Sequence, residues 1–142
     1  MALQRKGSAR WKGGLKDGKG TVSTASGVLK STPYSFSSRF EGQQGTNPEE
    51  LIGAAHAGCF SMALSGQLDG AGLKADSIDT TATVSLEKLE GGFAITSVNL
   101  EVRATIPGAD QAKFDELTKK AKEGCPVSKL LKANITMDAK LV

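Results

Sequence analysis

Three side chains in this 142-residue sequence offer nucleophilic or soft metal-binding chemistry: Cys59, Cys125 and the lone His56. One histidine cannot supply a multi-histidine zinc site, and neither cysteine belongs to a Cys-x-x-Cys pair, so no metal centre is expected. No Gly-x-Gly-x-x-Gly follows a strand-like run and no phosphate-cradling Gly-Lys-Ser/Thr loop is present, so no nucleotide cofactor is supported. The thiols and whatever tunes them are left. Cys125 precedes Pro126 where one helix should end and another begin. Its sulfur is therefore expected to face the unpaired amides of the new helix, which favour thiolate. Cys59 should lie mid-helix with His56 three residues earlier on the same face. The bland reading of Cys59 is a small core residue. The sharper one is a Cys-His pair for acyl transfer.

The elements that must hold these residues are readable in outline. Asn47-Pro-Glu-Glu supplies an N-cap, a proline at the first helical position and two carboxylates in the first turn. The spacing predicts a helix from there to about Gln67 or Leu68, before Gly70-Ala-Gly. It is rich in small residues (Gly53, Ala54, Ala55, Ala57, Gly58, Ser61, Ala63), which suits a central, nearly fully buried helix that another backbone approaches closely. Upstream, Ser8 to Trp11 and Thr21 to Ser26, separated by glycine-rich turns, read as a hairpin, and Arg39 falls in an expected strand. Downstream, Thr80 to Leu89 and Phe93 to Ile106 are β-branched-rich runs. Val98, Leu100, Val102, Ala104 and Ile106 alternate with polar partners, while Phe93 and Ile95 have the opposite parity. A bulge near Thr96 and Ser97 follows. Asp110 to Glu123 reads as a second helix, Cys125-Pro126 to about Leu131 as a third, and Ile135 to Leu141 as a closing strand. The chain is read as one α+β domain, 1–142, with antiparallel sheets packed on a long central helix.

Composition narrows the partners. Eighteen Lys and Arg against fifteen Asp and Glu leave a net charge of +3, and only 5% of residues are aromatic. Six basic residues cluster at Arg5, Lys6, Arg10, Lys12, Lys16 and Lys19, but only Trp11 interleaves them, so a solvated hairpin face is expected rather than a nucleic-acid surface. No run reaches the roughly 18 apolar residues of a membrane helix, and the amino terminus lacks a secretory pattern. A cytoplasmic address with no membrane partner is expected. In a reducing compartment two cysteines are inert, redox-active or metal-bound rather than a permanent staple.

Several blocks together resemble the osmotically inducible protein C (OsmC) family. They are Lys19-Gly-Thr-Val-Ser-Thr-Ala-Ser-Gly-Val-Leu, Tyr34-Ser-Phe-Ser-Ser-Arg-Phe-Glu-Gly, Gly45-Thr-Asn-Pro-Glu-Glu-Leu-Ile-Gly-Ala-Ala-His-Ala-Gly-Cys-Phe-Ser-Met-Ala-Leu and Gly124-Cys-Pro-Val-Ser. The resemblance covers nearly the whole chain. It implies an OsmC-like fold, an intertwined homodimer, and reduction of hydroperoxides, organic ones preferred over hydrogen peroxide, with no bound cofactor or metal. Carried over by motif, Cys59 would be the peroxidatic cysteine, Cys125 the resolving one, and Arg39 and Glu49 the charged pair of the site. A lipoyl-type or other small dithiol would be the reductant.

These residue types suit that chemistry. A thiolate attacks a peroxide oxygen and becomes a sulfenic acid, which a second thiol converts to a disulfide. Arg39 would hold the thiolate and stabilise the departing alkoxide, and Glu49 would orient the guanidinium. Capping logic alone makes Cys125 the more acidic thiol, whereas the family pattern favours Cys59 beside Arg39. The second is preferred, because Arg39 supplies a full charge and the peroxide donors. Glu49 and Cys59 are ten residues apart on one expected helix, about 15 Å along its axis. If both act in one site, two chains must pair, with helices antiparallel through the Gly/Ala face. Tyr34, Phe36, Phe60 and Met62 could wall an alkyl group, though each also suits the core. Two other readings stay open: a Cys-His acyl-transfer enzyme, and a non-catalytic dimer that binds a small hydrophobic ligand.

Overall fold

The computed structural model describes all 142 residues, which form two compact units, 1–51 and 52–142. In the first, β1 (Gly7–Lys12), β2 (Lys19–Thr24) and β3 (Thr32–Tyr34) make an antiparallel sheet in that order. The expected hairpin is present, with β2 ending at Thr24 because its Oγ1 accepts from the amide of Leu29 and turns the chain. One glycine is required by packing. Gly20 pairs with Trp11 on one side and Tyr34 on the other, and a Cβ there would lie 2.6 Å from the Trp11 ring. The two rings close over it with centroids 5.4 Å apart.

Arg39 is not in a strand. It lies on a short helix, α1 (Phe36–Phe40). The cause is a capping box: the Ser38 amide donates to Ser35 Oγ at 3.1 Å and the Ser35 amide to Ser38 Oγ at 2.8 Å, which closes a helical turn where the residue types suggested extension. The long helix α2 (Pro48–Gly70) begins as expected, with Asn47 Oδ1 accepting from the Glu50 amide at 2.8 Å.

In the second unit β4 (Ser77–Leu89), β5 (Gly92–Thr105) and β6 (Asn134–Leu141) form a sheet in that order, with α3 (Gln111–Gly124) and α4 (Pro126–Leu130) between β5 and β6. The architecture is α+β, but the expected all-antiparallel pairing fails for β6, which runs parallel to β5. A helical crossover between β5 and β6 allows this, since parallel neighbours need a long connection rather than a hairpin. The bulge is at Thr96: Ser85 pairs with Ser97 and Leu86 with Ile95, leaving Thr96 extra. Past it the predicted parity holds. Val98, Leu100, Val102 and Ala104 are wholly buried and cluster with Phe60, Leu64, Leu68, Phe114, Leu117 and Ala121. Each large apolar side chain in that cluster contributes about 1.5–3 kcal/mol of burial.

The expectation of a nearly fully buried α2 is corrected. Only Gly53, His56, Phe60, Leu64 and Leu68 are buried, at the three- and four-residue spacing of a single face. Ala54, Ala55, Gly58 and Met62 are exposed, Met62 at 80%. Close backbone approach is real at Gly53, where a Cβ would lie 3.1 Å from the Ala82 carbonyl oxygen, but nothing in the chain lies within 4 Å of a Cβ at Gly58. No helix is long and apolar enough to cross a membrane.

Candidate functional site

Within 52–142, the fold brings together two sulfurs that are 66 residues apart in sequence. Cys125 Sγ and Cys59 Sγ are hydrogen-bonded at 2.8 Å, and both thiols are free. Helix α2 carries Cys59. Cys125 closes α3, its amide donating to the Ala121 carbonyl, and is the residue from which α4 starts. Their environments differ: Cys125 is wholly buried, whereas Cys59 is half-buried.

The expected capping of α4 by Cys125 is not found. Its side chain makes no cap hydrogen bond, because the sulfur is turned to Cys59. The Val127 backbone of that helix acts on Cys59 instead, favouring its thiolate. Burial pushes the Cys59 thiol above its ordinary value, and the hydrogen bond and charge of Cys125 add to this; the Val127 amide pulls the other way.

Beside the sulfurs, His56 is wholly buried and its Nε2 lies 2.7 Å from Ser128 Oγ, while its Nδ1 has no partner. Burial lowers its proton affinity, which favours the neutral ring. No hydrogen bond joins His56 to Cys59. Val127 and Ser128 enter the sequence reading only within the Gly124-Cys-Pro-Val-Ser block, with no role of their own. Ser128 stands three residues after Cys125, as His56 stands three before Cys59.

Within 1–51, Arg39 and Glu49 form a forked ion pair. Arg39 Nη2 and Nε donate to Glu49 Oε1 at 2.8 and 3.0 Å, and Nε also to Oε2 at 3.3 Å. The Glu49 side chain is 12% exposed and that of Arg39 36%. Arg39 also borders an open cavity of about 290 Å³ whose other walls are Trp11, Leu15, Tyr34, Ser35, Phe36 and Phe40, with its guanidinium carbon 5.3 Å from the Phe40 ring centroid. A cation at the edge of an apolar cavity can hold a polar head whose tail is greasy. Of the four apolar residues singled out from the sequence, Tyr34 and Phe36 line this cavity; Phe60 belongs to the core and Met62 is exposed.

The model of the OsmC-like protein family matches residues 41–140. This chain belongs to the OsmC family. It is 60% identical over 141 residues to the peroxiredoxin OsmC of Escherichia coli, covering 99% of each chain. The organic hydroperoxide resistance protein OhrB of Bacillus subtilis is 33% identical over 123 residues, 86% of this chain and 88% of that one. The crystal structure of the same OhrB superposes with a TM-score of 0.75, covering 99% of this chain and 98% of that one. An OsmC-like protein from Mycoplasma pneumoniae, 15% identical, has a TM-score of 0.79, covering 100% of this chain and 99% of that one, and so shares the fold. The matched residues 41–140 include Glu49, both cysteines, His56 and Ser128, while Arg39 lies just outside them.

Proposed function

We propose that this chain is a peroxide-reducing oxidoreductase of the thiol peroxidase type, acting on organic hydroperoxides in preference to hydrogen peroxide. The names of its relatives, a peroxiredoxin and an organic hydroperoxide resistance protein, support the substrate class. The observation that carries the mechanism is the sulfur pair: one half-buried and one buried thiol, 2.8 Å apart.

Cys59, the half-buried sulfur, is the attacking group. As thiolate it bonds to one peroxide oxygen, the O–O bond breaks, and the other oxygen leaves as alkoxide and takes a proton to become an alcohol. The sulfur is oxidised by two electrons and the peroxide reduced by two, giving Cys59 sulfenic acid. Cys125 then attacks that sulfur, and the hydroxyl leaves as water with the Cys125 proton, giving the disulfide. A small or lipoyl-type dithiol exchanges with the disulfide and restores both thiols.

Burial and Cys125 disfavour the Cys59 thiolate within one chain, so the site calls for a cation. Arg39 is that cation, with its guanidinium oriented by Glu49. Ten residues of helix part Glu49 from Cys59, so a homodimer, with Arg39 and Glu49 of one copy serving Cys59 of the other, fits both pairs. The exposed small-residue face of α2 suits such pairing. In this reading residues 1–142 act as one domain. The acyl-transfer alternative loses its support, because the one polar contact of His56 is Ser128 and no hydrogen bond joins the ring to Cys59.

The test is one turnover. After one equivalent of cumene hydroperoxide, Cys125→Ser should carry sulfenic acid on Cys59 by mass spectrometry, and the unsubstituted protein a Cys59–Cys125 disulfide. Peroxide consumption that survives in Cys59→Ser reverses the assignment.

A further inference from the structure

Two rungs connect α2 to the start of α4. One is Cys59–Cys125; the other is His56–Ser128, three residues before the first cysteine and three after the second. Helix α4 has only five residues and none of them is buried, so apolar packing does little to hold it. The sulfur rung cannot serve as a constant tether, because it is a thiol pair, a sulfenic acid beside a thiol, and a disulfide in turn. The His56–Ser128 rung is chemically unchanged throughout.

The tautomer follows from the burial. A buried N–H with no acceptor is the rarer and costlier orphan, so the proton belongs on Nε2, which donates to Ser128 Oγ, and Nδ1 keeps its lone pair. A neutral imidazole supplies no charge for the Cys59 thiolate, and no hydrogen bond joins the ring to that sulfur to take its proton. Yet a polar ring with one orphaned nitrogen is retained in a wholly buried position where an apolar side chain could pack. Its one polar contact is the link to Ser128.

We propose that His56 and Ser128 are positioning residues, a non-covalent clamp that keeps Cys125 beside Cys59 while Cys59 is a sulfenic acid. The disulfide then closes before a second peroxide arrives. The inference rests on the thiol-peroxidase reading above. The step it serves is balanced without an outside electron source: the S–O bond of Cys59 sulfenic acid breaks, the S–S bond forms, and hydroxyl and the Cys125 proton leave as water. The competing step, peroxide plus sulfenic acid giving sulfinic acid and alcohol, removes the enzyme from the cycle.

The experiment is rapid-quench mass spectrometry on the full chain after mixing with stoichiometric cumene hydroperoxide, following Cys59 sulfenic acid and the disulfide separately. Ser128→Ala should leave sulfenic acid formation unchanged and slow disulfide closure by about tenfold, the effect of losing one hydrogen bond. Under excess peroxide more Cys59 should reach sulfinic acid. Ser128→Thr, which keeps the hydroxyl, should restore closure, and His56→Gln, which places an amide nitrogen near the Nε2 position, should restore part of it. Equal slowing of both steps without rescue by threonine, or unchanged closure in Ser128→Ala, overturns the clamp. If the unsubstituted protein forms no sulfenic acid on Cys59, the peroxidase reading has failed and the clamp falls with it.

Discussion

The Arg39–Glu49 fork allows a prediction with a size. Glu49→Gln keeps the shape of the side chain and removes its charge. If the amide oxygen takes the place of Oε1, the contacts of 2.8 and 3.0 Å survive as neutral-acceptor bonds. The amide nitrogen then faces Arg39 Nε across the 3.3 Å contact, donor against donor. A hydrogen bond to a charged partner contributes about 1.5–3 kcal/mol and a neutral one about 0.5–1.5 kcal/mol, so the loss is about 1–1.5 kcal/mol. Arg39 is over a third exposed, and solvent screening holds the figure near 1 kcal/mol. Expressed fully in the peroxide step, that is about a fivefold slower oxidation of Cys59. Arg39→Ala, which removes the donors themselves, should cost about a hundredfold or more. The assay is consumption of cumene hydroperoxide with excess dithiothreitol, with stopped-flow measurement of the first oxidation. Melting temperatures should hardly move, since a pair at this exposure adds little stability. Full activity in Arg39→Ala would refute the reasoning and reduce the fork to a surface ion pair. Full activity in Glu49→Gln alone would remove the carboxylate from the mechanism.

Two further perturbations test the sulfur environment and the helix that carries it. Cys125→Ala removes two of the causes that raise the Cys59 thiol and leaves the Val127 amide that lowers it. The pH midpoint of Cys59 alkylation by iodoacetamide should therefore fall relative to the unsubstituted protein, and an unchanged or higher midpoint contradicts the assignment. In the helix, Gly53→Ala gains about 1 kcal/mol of propensity but drives a Cβ against the Ala82 carbonyl, an overpacking cost of about 1–3 kcal/mol, so its melting temperature should drop. Gly58→Ala meets nothing within its own chain. If the chain pairs through this face as proposed, the substitution should weaken that dimer in sedimentation velocity; an undisturbed dimer would place the interface on another face, and a monomeric unsubstituted protein would remove the pairing altogether.

Much of the site was legible because its signals are local. Asn47-Pro-Glu-Glu is a helix start by capping chemistry alone, and the alternation from Val98 to Ile106 marks a buried strand face without reference to any neighbour. The family blocks pointed to Cys59, Cys125, Arg39 and Glu49, and the fold joins these as two pairs. The errors have a common origin. Arg39 is expected in a strand because the aromatic Tyr34, Phe36 and Phe40 around it favour extended backbone, and the reciprocal Ser35–Ser38 bonds override that preference. Helix α2 was expected to be buried all round because small residues signal close approach without saying which chain approaches.

Residue types and their spacing determined the long helix, the strand parity and the two thiols as the candidate reactive groups, since these depend on backbone propensity and on what sulfur can do. Tertiary structure alone decided which thiol is reachable and which is shielded, that Val127 favours the Cys59 thiolate while the Cys125 sulfur caps nothing, and that His56 is committed to Ser128. Each of these depends on residues more than sixty positions apart meeting at one place. Side-chain burial and hydrogen-bond direction are properties of the packed chain, so local sequence carries no record of them.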